Sequence, residues 1–187
     1  MYNKEIFNEE LDLIVNKELR LVLEEALLKA PSYFYTASAS SSGKYHPEQD
    51  LGEGGIIRHT KTCIRVGLDL LRSEQFIEEN DYNRDIIISA LMLHDIIKNG
   101  FKDSKNTVSA HPLFACSFLY SLDIDEVNFS IISEIVNCIK SHMGIWNKDR
   151  EGNEMLPKPQ TQIEKLVHLA DYIASRKYID YMKREDI

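Results

Sequence analysis

Basic charge is in deficit in this chain. Lys and Arg number 22 against 30 Asp and Glu, a formal net charge of −8, which argues against a broad basic groove for duplex nucleic acid. A small anionic substrate held by a few local cations stays compatible with that balance. Cysteine is scarce as well. Cys63, Cys116 and Cys138 lie far apart in apolar helical patterns and form no CxxC pair, so a zinc ribbon or a disulfide framework has little support, and core thiols in a reducing cytosol are expected. No uninterrupted apolar run is long enough for a membrane span, because the stretch ending at Ile97 is broken by His94 and Asp95. The acidic start, Met-Tyr-Asn-Lys-Glu-Ile-Phe-Asn-Glu-Glu10, has no charged-then-apolar signal architecture. A cytoplasmic protein with no membrane partner is expected. Internal repeats and strand-like alternation are lacking, and Gly52-Glu-Gly-Gly55 lacks the Gly-Lys-Ser/Thr ending of a P-loop, so it reads as turn chemistry.

What is present is helical. A content of 43% hydrophobic residues over 187 positions suits one compact all-α domain spanning 1–187. Ile6, Leu13, Leu19, Val22, Leu23 and Leu27 fall at roughly helical spacing between Glu5 and Lys29, and Pro31 ends that helix by disfavouring the α conformation at Ala30. The Ser- and Gly-rich stretch from Ser32 to Gly55 predicts a long loop. Helices are expected near Ile56 to Ser73, Tyr82 to Asn99, Pro112 to Ser121, Val127 to Ser141 and Thr161 to Lys183, with a second long loop over His142 to Gln160.

His94 and Asp95 sit inside the most apolar stretch, Asp85-Ile-Ile-Ile-Ser-Ala-Leu-Met-Leu-His-Asp-Ile-Ile-Lys98. Burying an unpartnered carboxylate costs several kcal/mol or more, and a divalent cation reverses that sign by supplying the largest local charge. The pair therefore reads first as metal ligands. Other buried faces deliver similar groups. Ile56, His59, Cys63, Val66 and Leu70 form one stripe; Ile87, Leu91, His94 and Lys98 a second; Ile131, Ile135, Cys138 and His142 a third; Val167, Asp171 and Ala174 a fourth. A lone histidine on such a face is usually a satisfied core residue, but four coincident stripes are harder to explain that way.

The order His59, His94-Asp95, Asp171 resembles the HD-domain metal-dependent phosphohydrolases over roughly Tyr45 to Tyr178. The resemblance implies that these four residues bind one metal and that Lys98 matches the family's lysine shortly after the pair. Ile97 departs from the common His-Asp-Ile-Gly-Lys, which affects local packing more than the ligand set. Val167-His-Leu-Ala-Asp171 looks like the family's final Leu-Ala-Asp segment. His111, which lies 16 residues after Asp95 and precedes Pro112, and His142 at the end of the following helix complete an order that resembles the binuclear branch. That branch includes HD-GYP cyclic-dinucleotide phosphodiesterases, cyclic-nucleotide phosphodiesterases and certain bacterial exoribonucleases; the GYP motif itself is absent. The alternative reading makes His111 a helix cap and His142 a partly solvated loop residue.

Imidazole and carboxylate donors suit one or two divalent ions among Mn, Fe, Ni, Co and Zn. Such an ion turns water into a nucleophile near neutral pH, while Asp95 bridges or orients and Lys98 stabilises charge on phosphate oxygens. Weaker substrate-binding candidates are His46 on the long loop, Arg58, which points about 100° away from His59, His168 and Arg176. Trp146 and Tyr45 offer aromatic surfaces on the two loops, for stacking or for packing. The expectation is an HD-type phosphohydrolase, a phosphodiesterase in preference to a phosphomonoesterase, acting on a nucleotide or short oligonucleotide. Two rivals are a nucleotide-binding sensor with little turnover and a metal-free helical scaffold.

Overall fold

A computed structural model describes residues 4–102, 104, 106–124, 128–149 and 151–177. Among them the chain is built from helices alone, plus one isolated bridge between Lys148 and Glu154. A 3-10 turn over Lys4–Phe7 leads into α1 (Asn8–Leu11), α2 (Lys17–Lys29) and α3 (Ser32–Thr36), and a second 3-10 turn spans Glu48–Asp50. The larger helices follow: α4 (Gly55–Arg72), α5 (Asp81–Leu93), α6 (His111–Tyr120), α7 (Phe129–Ser141) and α8 (Gln162–Ala174).

Local chemistry explains the boundaries. Asn16, Asn80 and Thr161 each accept a backbone N–H two or three positions into their helices, from Leu19, Asn83 and Glu164. Ala30 is extended at φ −57°, ψ 142°, as Pro31 requires. The expected single helix from Glu5 to Lys29 is instead broken at 12–16. Buried Asp85 on α5 accepts the Val15 and Asn16 N–H groups at 3.1 and 2.8 Å, and those donors are lost to a continuous helix. The loop predicted over Ser32 to Gly55 is shortened by α3 and the Glu48–Asp50 turn. The expected tail of the last helix, from residue 178 to Lys183, lies outside the described residues.

Every residue of α5 from Asp85 to Leu93 is buried, so this helix is the axis of the molecule. α4, α7, α8 and α2 pack around it, and α6 covers α7. Buried apolar side chains from Phe7 to Ala174 join in one cluster. Gly67 lets α4 lie close on α5, since a Cβ there would stand 2.5 Å from Leu91 Cδ1. The outcome is that helix ends meet on one side: the C-termini of α5, α7 and α8 and the N-termini of α4 and α6. No described helix is long and apolar enough to cross a membrane.

Candidate metal centre

The helix ends bring together all six groups of the expected ligand set. His59 stands one turn into α4, His94 and Asp95 follow α5, His111 opens α6, His142 follows α7, and Asp171 lies in the last turn of α8. His59 Nε2 is 3.0 Å from Asp171 Oδ1 and 3.9 Å from Asp95 Oδ2. His94 Nε2 lies 3.4 Å from Asp95 Oδ2 and 3.7 Å from Asp171 Oδ1. On the opposite side His111 Nε2 is 3.1 Å from Asp95 Oδ1 and 3.3 Å from His142 Nε2. Asp95 thus turns one oxygen to His59 and His94 and the other to His111.

Three of these imidazoles are oriented in the same way. His94, His111 and His142 place Nδ1 at 2.6, 2.8 and 2.7 Å from the carbonyl three residues earlier, those of Leu91, Val108 and Ile139. A carbonyl only accepts, so each Nδ1 carries the proton and each Nε2 presents a lone pair inward. For His94 that lone pair is buried without any hydrogen-bond partner. For His111 and His142 two lone pairs face each other, an arrangement that a cation relieves. The donor set therefore suits divalent ions on the chemistry of its own atoms.

The charges fit the same reading. Burial would raise the Asp95 carboxyl, but the Lys98 ammonium holds it well below the usual carboxylate range. Burial opposes ionisation of Asp171 too, and hydrogen bonding to His59 overrides it, so its value is lowered. Burial pushes His142 down to about 3, leaving it neutral and able to ligate. At His59 burial pulls down, yet Cys63 and the carboxylates of Asp171 and Asp50 raise it well above the ordinary value. Lys98 is buried and pairs with Asp95 Oδ2, so it is no surface lysine.

A cavity of about 290 Å³ opens onto Asp95, Lys98, His111, His142 and Asp171, with His46 and Arg176 at its rim. The remaining two candidates are placed elsewhere. Arg58 donates to the carbonyls of Gln49, Leu51 and Glu53 and so clamps the loop before α4. His168 gives its Nδ1 proton to His142 O at 2.6 Å, and its ring fills the space beside Gly144, supporting the α7 end from behind.

Two neighbours were not legible as site residues. Asp50 is fully buried, 3.6 Å from His59 Nδ1 and 3.8 Å from His46 Nδ1, with neither oxygen hydrogen-bonded. It reaches the site through the turn after Pro47, and a Cβ on Gly55 would stand 2.1 Å from its carbonyl oxygen. Cys63, expected as a core thiol, has Sγ 3.4 Å from His59 Nε2, and burial pushes the thiol up to about 11.

Comparison with known proteins agrees with this geometry. Residues 56–176 match the family model for the HD domain. A curated relative from Methanocaldococcus jannaschii, named dihydroneopterin 2',3'-cyclic phosphate phosphodiesterase, is 28% identical over 129 residues, covering 66% of this chain and 47% of the relative. The chain therefore spans about half the length of that protein. No solved structure matches it. With the family model covering well over half of its length, and His59, His94, Asp95 and Asp171 gathered at one point, the chain belongs to the HD domain family.

Proposed function

We propose that this chain is a metal-dependent phosphohydrolase that cleaves phosphate esters, diesters in preference to monoesters, of a nucleotide or similarly small phosphorylated molecule. Residues 1–187 are read as one HD domain working in the cytoplasm. The observation that carries the reading is the pair of Asp95 oxygens turned to two separate histidine groups, with the orphaned His94 Nε2 beside one and the opposed His111 and His142 Nε2 atoms at the other. His59, His94, Asp95 and Asp171 would hold one ion, and Asp95, His111 and His142 a second.

A bound divalent ion supplies activation of water and neutralisation of phosphate charge. The chain's own residues do the rest. Asp95 ties the two ligand groups together through one carboxylate. Lys98, held against Asp95 at the cavity wall, keeps a positive charge where non-bridging phosphate oxygens arrive. His46 is kept neutral by burial, and its ring packs 4.6 Å from that of His59, so it offers the substrate a polar edge without added charge. The size of the cavity suits a small ester better than a folded polymer. The relative named for a cyclic phosphate diester supports the diester preference.

Elemental analysis of protein purified without a metal-affinity tag, run beside a panel of phosphate mono- and diesters, tests the proposal. About two ions per chain and diester cleavage are expected, and Asp95→Asn should remove both turnover and metal while helical content stays. One ion with monoester cleavage would reassign it as a nucleotidase-like enzyme. Ligand binding without turnover would make it a sensor, and full activity in Asp95→Asn would end the mechanism.

A further inference from the structure

The rim of the cavity carries a cluster that hydrolysis does not use. The Trp146 indole stacks on the Tyr172 ring with centroids 5.6 Å apart and planes 19° from parallel. The Arg176 guanidinium lies 4.2 Å from the Tyr172 centroid and 5.7 Å from those of Tyr45 and Trp146. Three rings from three separate segments thus converge on one cation.

These side chains are not core packing. Trp146 is 42% exposed and Tyr45 48% exposed, and both line the cavity that reaches Asp95 and Asp171. Arg176 is anchored through Nε to Tyr172 O at 3.1 Å and through a terminal nitrogen to Ser175 Oγ at 2.8 Å. Among the described residues it pairs with no carboxylate. Its charge is therefore spent on the rings, in a chain of net charge −8. The wall is pre-built: Tyr172 already stacks on the indole, which lines the cavity and keeps 42% of its surface exposed. Asp171 and Tyr172 are neighbours on α8, so the phosphate end and the aromatic end of the cavity share one rigid element.

We propose that Trp146, Tyr172, Tyr45 and Arg176 form a stacking subsite for a planar heteroaromatic ring, of the nucleobase or pterin kind, carried by the phosphate ester. The proposal rests on the phosphohydrolase reading for the position of the phosphate and adds the chemistry that selects the rest of the substrate. A flat ring gains dispersion and cation–π contact on such a wall without needing base-edge hydrogen bonds. A bare sugar phosphate finds only the phosphate end.

Trp146 is the one tryptophan in the chain, so its emission reports this wall directly. The metal-loaded protein is titrated with guanosine, neopterin and ribose 5-phosphate, with free N-acetyltryptophanamide as the optical control. Guanosine, neopterin or both should quench saturably, and ribose 5-phosphate should not. Equilibrium dialysis then ranks guanosine against neopterin, and either order supports the subsite while naming its ring. Trp146→Ala should weaken ring binding and raise KM for a ring-bearing ester about tenfold with kcat within about threefold, and Trp146→Phe should stay near the parent. Arg176→Ala should weaken ring binding as well. No saturable quenching by either ring compound, equal quenching by ribose 5-phosphate, or unchanged ring binding in Trp146→Ala would overturn the subsite. Guanosine and neopterin carry no phosphate. Ring binding without hydrolysis therefore rejects only the phosphohydrolase reading, and hydrolysis without ring binding rejects only the subsite.

Discussion

A fully buried carboxylate with neither oxygen hydrogen-bonded stays in place only where positive charge reaches it. Asp50 is in that position, and the nearest such group is His59 Nδ1 at 3.6 Å. Asp50 acts on the His59 ring by charge at that distance, where the Leu91, Val108 and Ile139 carbonyls hold the other three histidines by hydrogen bonds. Asp50→Ala should weaken metal affinity roughly 10- to 100-fold with little loss of helicity, and competition against a chelator measures it. Unchanged affinity would reduce Asp50 to a bystander. His59, His94, His142 and Asp171 were legible because each repeats an apolar stripe at three- and four-residue steps. Asp50 was not, since it arrives on a turn whose approach depends on the missing Cβ of Gly55, and no periodicity records that. Arg58 misled for a related reason: adjacency to His59 says nothing about the loop carbonyls that engage it.

Helices carry the candidate ligands, but the turns after them set the aim. Gly144 follows His142 with φ +56°, and a Cβ there would stand 2.2 Å from His168 Cε1. Gly144→Ala should therefore destabilise by about 2–4 kcal/mol, combining left-handed strain with displacement of the ring that supports His142 O. Urea unfolding gives the value, and a cost within a few tenths of a kcal/mol would show that the turn yields freely. Helix existence and type followed from spacing for α2 and α4 to α8. The broken N-terminal helix did not, because the break is made by Asp85, far away in sequence, accepting the Val15 and Asn16 N–H groups. Local pattern holds no trace of such a long-range acceptor.

Taken whole, the metal-free molecule has opposed titrations at its centre. His142 is held down to about 3, so an unfolded chain binds its proton first as pH falls below about 6.5, and stability drops toward acid. Asp95 and Asp171, both lowered, add to that loss at still lower pH. His59 is raised, so its contribution is complete below about 6.5 and is lost as pH climbs through its folded value. The chelated protein should therefore show its highest melting temperature near pH 6.5, with a fall on both sides. A midpoint that keeps rising to pH 9 would contradict the charge assignment at His59.

The helix ends that converge on Asp95 come from widely separated parts of the chain; His59 and Asp171 alone are 112 positions apart. An ion held there acts as a staple, closing long loops that the unfolded chain would otherwise leave free, and its binding energy counts toward folding. A site of this design would also be a keystone of the fold. Cells that ration the metal would then control how much of the protein persists as well as how fast it works.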